Sequence, residues 1–140
     1  MKLLRSILGI FFGMLIGSIV IGVLMFVNAF IHPMPAGTDP TDADSLRAAF
    51  AQLPVTAFIG LLVSYLVGVF FAAFAAGKIA GYSEVLHGFI ISLLFTFVGI
   101  SYFARVPTPI WVVIGAFIIY FAAGFVGASF AASIRSAKTA

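Results

Sequence analysis

The chain has 140 residues, of which 64% are hydrophobic and 8% charged, against about 45–50% and about 25% in an ordinary soluble domain. Too little polar material remains to cover a folded surface facing water, so most of that surface must face lipid. The absence of cysteine excludes disulfides, thiolate metal sites and thiol nucleophiles. Seven Lys and Arg against four Asp and Glu are too sparse and scattered to track a nucleic acid, so no nucleic-acid partner is expected.

Charge-free apolar stretches run over about 6–31, 54–77, 85–104 and 109–134, each meeting the requirement of about 20 residues for a bilayer crossing. None alternates with period two, and open strands would leave backbone polar groups unpaired in hydrocarbon. The sequence therefore predicts an all-α polytopic membrane protein, one domain over 1–140, with four transmembrane helices in an antiparallel bundle. Lys2 and Arg5 before the first stretch resemble the start of a secretory leader, but the apolar run exceeds the leader's core of about 7–15 residues, so a retained span is expected.

Pro33, Pro35, Gly37 and Pro40 end span one and open an outer loop over 32–53. Inside it, Thr41 and Asp44 stand at capping-box spacing, and Leu46, Phe50 and Leu53 form one apolar stripe. That pattern predicts a short helix over 43–52 lying on the membrane interface. The remaining connections, 78–84 and 105–108, are of helical-hairpin length. Lys2, Arg5, Lys78, Arg135 and Lys138 fall on one side of the bilayer, whereas Arg47 and Arg105 fall on the other beside Asp39, Asp42 and Asp44. The positive-inside rule then places both termini in the cytoplasm, and a cell inner membrane is the expected location.

Lipid tails are as apolar as leucine, so helices in a bilayer associate where small residues let backbones approach. Such rows are Gly9, Gly13 and Gly17 in span one; Gly60, Ser64, Gly68 and Ala72 in span two; Gly88 and Ser92 in span three; and Gly124, Gly127 and Ala131 in span four. Packing within the chain is the expected use, and a leftover face would serve a homo-oligomer or a larger membrane complex. Shifting the chain by 55 residues superposes Gly60 on Gly115, Tyr65 on Tyr120 and Ala73 on Ala128, as either a duplicated hairpin or chance matching of low-complexity spans would give; spans one and three do not align.

Reactive groups are scarce. No ionisable side chain lies at mid-span, where a proton-coupled antiporter of the small multidrug-resistance type, also built from four short spans, needs a carboxylate. The arginine and polar pattern of the four-span fluoride channels is likewise missing. Glu84 and His87 form a Glu-x-x-His pair, but a di-iron bundle needs two such motifs and further glutamates. The pair reads instead as an interfacial acid at a helix N-terminus with a headgroup-level histidine, facing the interface rather than a cavity. No metal and no cofactor is expected. His32 lies a bilayer away from His87, so the two cannot jointly hold a haem. Asn28, the strongest polar side chain within a span, is expected to bond between helices near the outer boundary. Tyr82, Tyr102 and Trp111 read as interfacial anchors. No Ser, His and Asp set gathers in one leaflet, which leaves Asn28, His32, Glu84 and His87 as weak functional candidates.

The passage His32, Pro33, Met34, Pro35, Ala36, Gly37, Thr38, Asp39, Pro40, with Leu53 and Pro54 entering span two and Pro107 to Trp111 entering span four, resembles a group of small four-span bacterial inner-membrane proteins of unknown function. The resemblance covers nearly the whole chain and rests on the Pro-rich Gly-x-Asp-Pro loop. Such proteins often carry a glutamate and a histidine four apart near the end of span one, where this chain has Met25 and Ala29. Abundant packing faces beside few reactive groups point to a non-enzymatic accessory or scaffold subunit working through helix faces and the outer loop. The alternative is a channel or carrier for a small neutral or lipophilic solute, which requires a roomy cavity between helices.

Overall fold

The computed structural model describes residues 1–139, with side chains through residue 137; the Lys138 side chain lies outside the described residues. Five helices follow in order: α1 (Lys2–Ile31), α2 (Ala43–Gln52), α3 (Val55–Ala80), α4 (Glu84–Phe103) and α5 (Ile110–Thr139), with no strand among the described residues. All but α2 are long and apolar enough to cross a membrane. The chain is a multi-pass membrane protein built as a helix bundle.

The helices outrun the hydropathy boundaries at their charged ends. α1 begins at Lys2, α3 continues through Lys78 to Ala80, and α5 passes Arg135. Charge ends an apolar stretch, but Lys and Arg are good helix formers and do not end a helix. What stops α3 is Gly81, in the left-handed region at φ 70°, whose N–H bonds the Gly77 carbonyl at 2.9 Å. Helix α2 occupies the predicted 43–52, but its cap is Asp42 rather than Thr41. The Asp42 carboxylate accepts from the Asp44 and Ser45 amides, while Thr41 turns back to Asp39. α2 joins the bundle through a side chain, Phe50, whose ring meets Phe58 edge-on at 6.2 Å.

The core lies between α3, α4 and α5 and is made of alanines and aromatic side chains with the branched Val69 and Ile91. α1 lies against α3 along the predicted glycine row. A methyl group at Gly9 would sit 2.7 Å from the Ala76 carbonyl oxygen, at Gly13 2.6 Å from that of Ala72, and at Gly17 2.9 Å from that of Gly68. Such backbone contact is possible only without a Cβ. Farther along, Asn28 Nδ2 donates to the Ala57 carbonyl at 2.9 Å, with Gly60 making room for its amide. α4 meets α5 where Gly88 and Gly124 lie against each other, and the Ser92 hydroxyl crosses to the Tyr120 carbonyl at 2.8 Å. Gly127 lies against the Phe70 backbone, Ala72 and Ala131 are buried, and Ser64 is buried with its hydroxyl bonded to the Gly60 carbonyl.

Candidate functional site

At the end of the bundle where α1 begins, the structure gathers polar groups from α1, α4, α5 and the α3–α4 turn. Glu84 and His87, expected at the interface, are instead 4% and 2% exposed. The reason is that the helix face they share with Gly88 and Ser92 is the one that packs inward. Glu84 Oε1 pairs with Arg135 Nε at 2.7 Å, and Arg135 also donates to the Gly81 carbonyl at 3.1 Å. One cation thus holds the α3–α4 turn and the buried carboxylate together.

The His87 ring has its Nδ1 3.0 Å from the Ser83 carbonyl oxygen, which can only accept, so Nδ1 carries the proton. Nε2 lies 2.9 Å from the Ser6 hydroxyl oxygen, within hydrogen-bonding distance. Tyr82 adds its hydroxyl to Ser6 Oγ, donates to the Lys2 carbonyl at 3.1 Å and stands edge-on to the His87 ring. The turn that delivers these groups holds Ser83 at a positive φ of 44°. Ser6 and His87 meet across 81 positions of sequence, and Tyr82 belongs to this network. A serine hydroxyl on a histidine nitrogen is the first half of a hydrolytic dyad. None of the cavities described below reaches it, however, and each member is used in tying the start of α1 to the α3–α4 turn.

The space in the bundle lies elsewhere. A cavity of about 220 Å³ opens between α1 and α4, in the half of the bundle toward the α2 end. Its walls are Ile21, Met25, Phe95 and Val98; its floor is Tyr65 of α3 and Tyr120 of α5, with Tyr102 at one side. The α1–α4 contact is sparse, and Ser18, Gly22 and Val98 at the mouth are exposed, so the opening faces sideways into the lipid. Tyr65 and Tyr120 are 6% and 3% exposed, and their rings meet edge-on at 5.5 Å. Among the described residues no hydrogen bond engages the hydroxyls of Tyr65, Tyr102 or Tyr120, yet no buried polar side-chain atom is sealed without a partner. Each of the three hydroxyls therefore keeps some accessible surface, and all three residues line the cleft. That of Tyr120 lies 3.2 Å from where a methyl at Gly99 would stand, which makes Gly99 part of the same wall.

A second cavity of about 210 Å³ adjoins the first toward the α2 end and shares Met25 and Tyr102 with it. Asn28, His32, Phe50, Leu53 and Thr108 line it, so the half-buried His32 imidazole and the predicted α2 stripe meet at its rim. Of the residues singled out from sequence, this end brings together Asn28 and His32 and the other end brings together Glu84 and His87; the two pairs do not meet. Tyr65 and Tyr120 were legible only as a repeat match. The signal that marks them is a polar hydroxyl halfway along an apolar span, twice, in the same register. Among the described residues no cluster of three or more His, Asp or Glu side chains forms a metal site.

Comparison with known proteins gives no match to any protein-family model, curated protein or solved structure.

Proposed function

We propose that this chain is a carrier for a small neutral, lipophilic solute, which enters sideways from the bilayer between α1 and α4 and rests on the Tyr65, Tyr102 and Tyr120 hydroxyls. The observation that carries the reading is the presence of three unengaged hydroxyls in one lipid-facing cleft. None of the three has a hydrogen-bond partner within the protein, so a bound molecule that accepts from them would make bonds that the fold does not supply. No Asp, Glu, Lys, Arg or His side chain lines the cleft, which disfavours a charged solute. The adjoining cavity extends the path toward α2, as transfer between the bilayer and one face would require. Binding and release, without catalysis, are the proposed activity.

In this reading the bundle is antiparallel, supported by the order in which Gly9, Gly13, Gly17 and Asn28 meet Ala76, Ala72, Gly68 and Ala57. Both termini face the cytoplasm of a bacterial inner membrane, supported by the cations Lys2, Arg5, Lys78 and Arg135 at one end. α2 then lies at the outer interface as a cover over the His32 cavity, supported by Phe50 and Leu53 at the cavity's lining.

Native mass spectrometry of the chain released from its own membranes, followed by extraction and identification of bound lipids, tests the proposal. The expected result is a neutral lipophile retained by the wild type and lost when Tyr65, Tyr102 and Tyr120 are together changed to phenylalanine; equal retention of bulk lipid by both forms would refute it. The accessory-subunit reading stands second, because the small-residue faces that motivate it are occupied within the chain. Capture of a stoichiometric partner subunit in mild detergent would restore it to first place.

A further inference from the structure

We infer that the solute held in the α1–α4 cleft is a quinone-type molecule, a flat ring bearing carbonyl oxygens with an apolar tail; this rests on the carrier reading above. Four properties of the site select that class. Size comes first: a cavity of about 150 Å³ takes a benzene ring, so about 220 Å³ takes a ring with substituents. Shape follows from the walls, since Tyr65, Tyr120 and Phe95 present ring faces and edges within a gap between two helices, and aromatic groups favour a flat aromatic-sized guest in offset or edge contact.

Polarity supplies the third. The polar groups at the cleft are the three phenol hydroxyls and the Ser18 hydroxyl at its mouth, with no cation and no carboxylate. A phenol gives its proton better than it accepts one, because the ring withdraws the oxygen lone pair. The fitting guest therefore accepts hydrogen bonds and carries no charge, which describes a carbonyl rather than a carboxylate or an amine. The fourth is the opening. It faces lipid past Gly22, where nothing lies within 4 Å of an added methyl, so a tail can leave the cleft into the bilayer while the ring stays inside.

The test uses the full chain in nanodiscs, titrated with three probes sharing one decyl tail: decylbenzoquinone, decylbenzene and methyl undecanoate, each measured against empty nanodiscs. Decylbenzoquinone is expected to bind at least tenfold tighter than decylbenzene, which has ring and tail but no acceptor. It is also expected to bind tighter than the ester, which has an acceptor but no ring. Tyr65→Phe, Tyr102→Phe and Tyr120→Phe should each weaken quinone binding roughly three- to tenfold where the hydroxyl is engaged, and leave decylbenzene unchanged. Gly22→Phe, which fills the mouth, should abolish binding of the three probes without touching any hydroxyl. If quinone and decylbenzene bind alike, the carbonyl assignment is overturned while the carrier reading stands. If the ester matches the quinone, the ring assignment is overturned. If no probe binds above empty nanodiscs, the carrier reading itself fails.

Discussion

The seam between α1 and α3 can be tested by one methyl group placed at two glycines of the same helix. At Gly13 a Cβ would stand 2.6 Å from the Ala72 carbonyl oxygen and 2.9 Å from the Ala76 methyl, whereas ordinary contact begins at 3.4 Å. Relief therefore demands a displacement of up to 3.4 − 2.6 = 0.8 Å. The obstacle is a backbone oxygen already fixed in a helix, so α1 must move away as a body. A radial gap of about 0.5–1 Å forfeits a quarter to a half of each dispersion contact it opens, and overpacked sites lose about 1–3 kcal/mol. We expect Gly13→Ala to cost about 2 kcal/mol. Gly22, on the same helix, meets nothing within 4 Å, and Gly22→Ala should gain about 0.5–1 kcal/mol from helix propensity alone. Reversible unfolding in mixed detergent and dodecyl sulfate micelles measures both against the wild type. Finding the two variants within about 0.5 kcal/mol of each other would refute the close backbone approach on which the α1 placement depends.

Three further outcomes follow from the polar groups. Arg135→Ala leaves the Glu84 carboxylate, 4% exposed, without its cation and should cost about 1–3 kcal/mol of unfolding free energy; adding Glu84→Gln should recover most of the loss, and a second loss instead would contradict the pairing. Ser6→Ala removes the group bonded to His87 Nε2 and should raise amide exchange in the first turns of α1 while leaving α5 unchanged; uniform exchange along α1 and α5 would count against the tie. In the outer loop, the Thr41 amide and hydroxyl donate to the Asp39 carboxylate and hold its pKa below the ordinary 3.8. Because the folded value is the lowered one, the ordering is complete above the ordinary value and is lost as pH falls through the folded value. Protection of the Thr41 amide should therefore persist down to the ordinary aspartate range, and its loss between about pH 6 and pH 5 would contradict the bond.

The spans and α2 were legible because hydropathy, proline placement and capping chemistry act locally. Even there, the Asp42 cap and the continuation of α1 and α5 through charged turns depend on hydrogen bonds that hydropathy does not weigh. The glycine rows were legible because a four-residue period alone brings small residues to one helix face; which row meets which depended on the tertiary arrangement. The site was largely hidden. Glu84 and His87 sit at a span boundary where a polar residue ordinarily faces headgroups, and only the rotation of α4 about its axis turns them inward. Ser6 joins them from 81 positions away, and Tyr82 from the adjoining turn. The cleft was hidden for a different reason: Tyr65, Tyr102 and Tyr120 count as aromatic in any composition or periodicity argument, and whether a hydroxyl has a partner is a property of three-dimensional packing. Asn28 was the exception, since an amide inside a span has few alternatives to an interhelical bond, and Ala57 supplies it.

An experimentally determined structure of the chain in native-lipid nanodiscs, at a resolution that shows bound molecules and tyrosine hydroxyls, would test the central claim most directly. The account predicts non-protein density between α1 and α4, entering past Gly22 and lying within hydrogen-bonding distance of at least one of the Tyr65, Tyr102 and Tyr120 hydroxyls. A bundle closed over that space, with those hydroxyls bonded to protein groups and α1 packed tightly against α4, would contradict it.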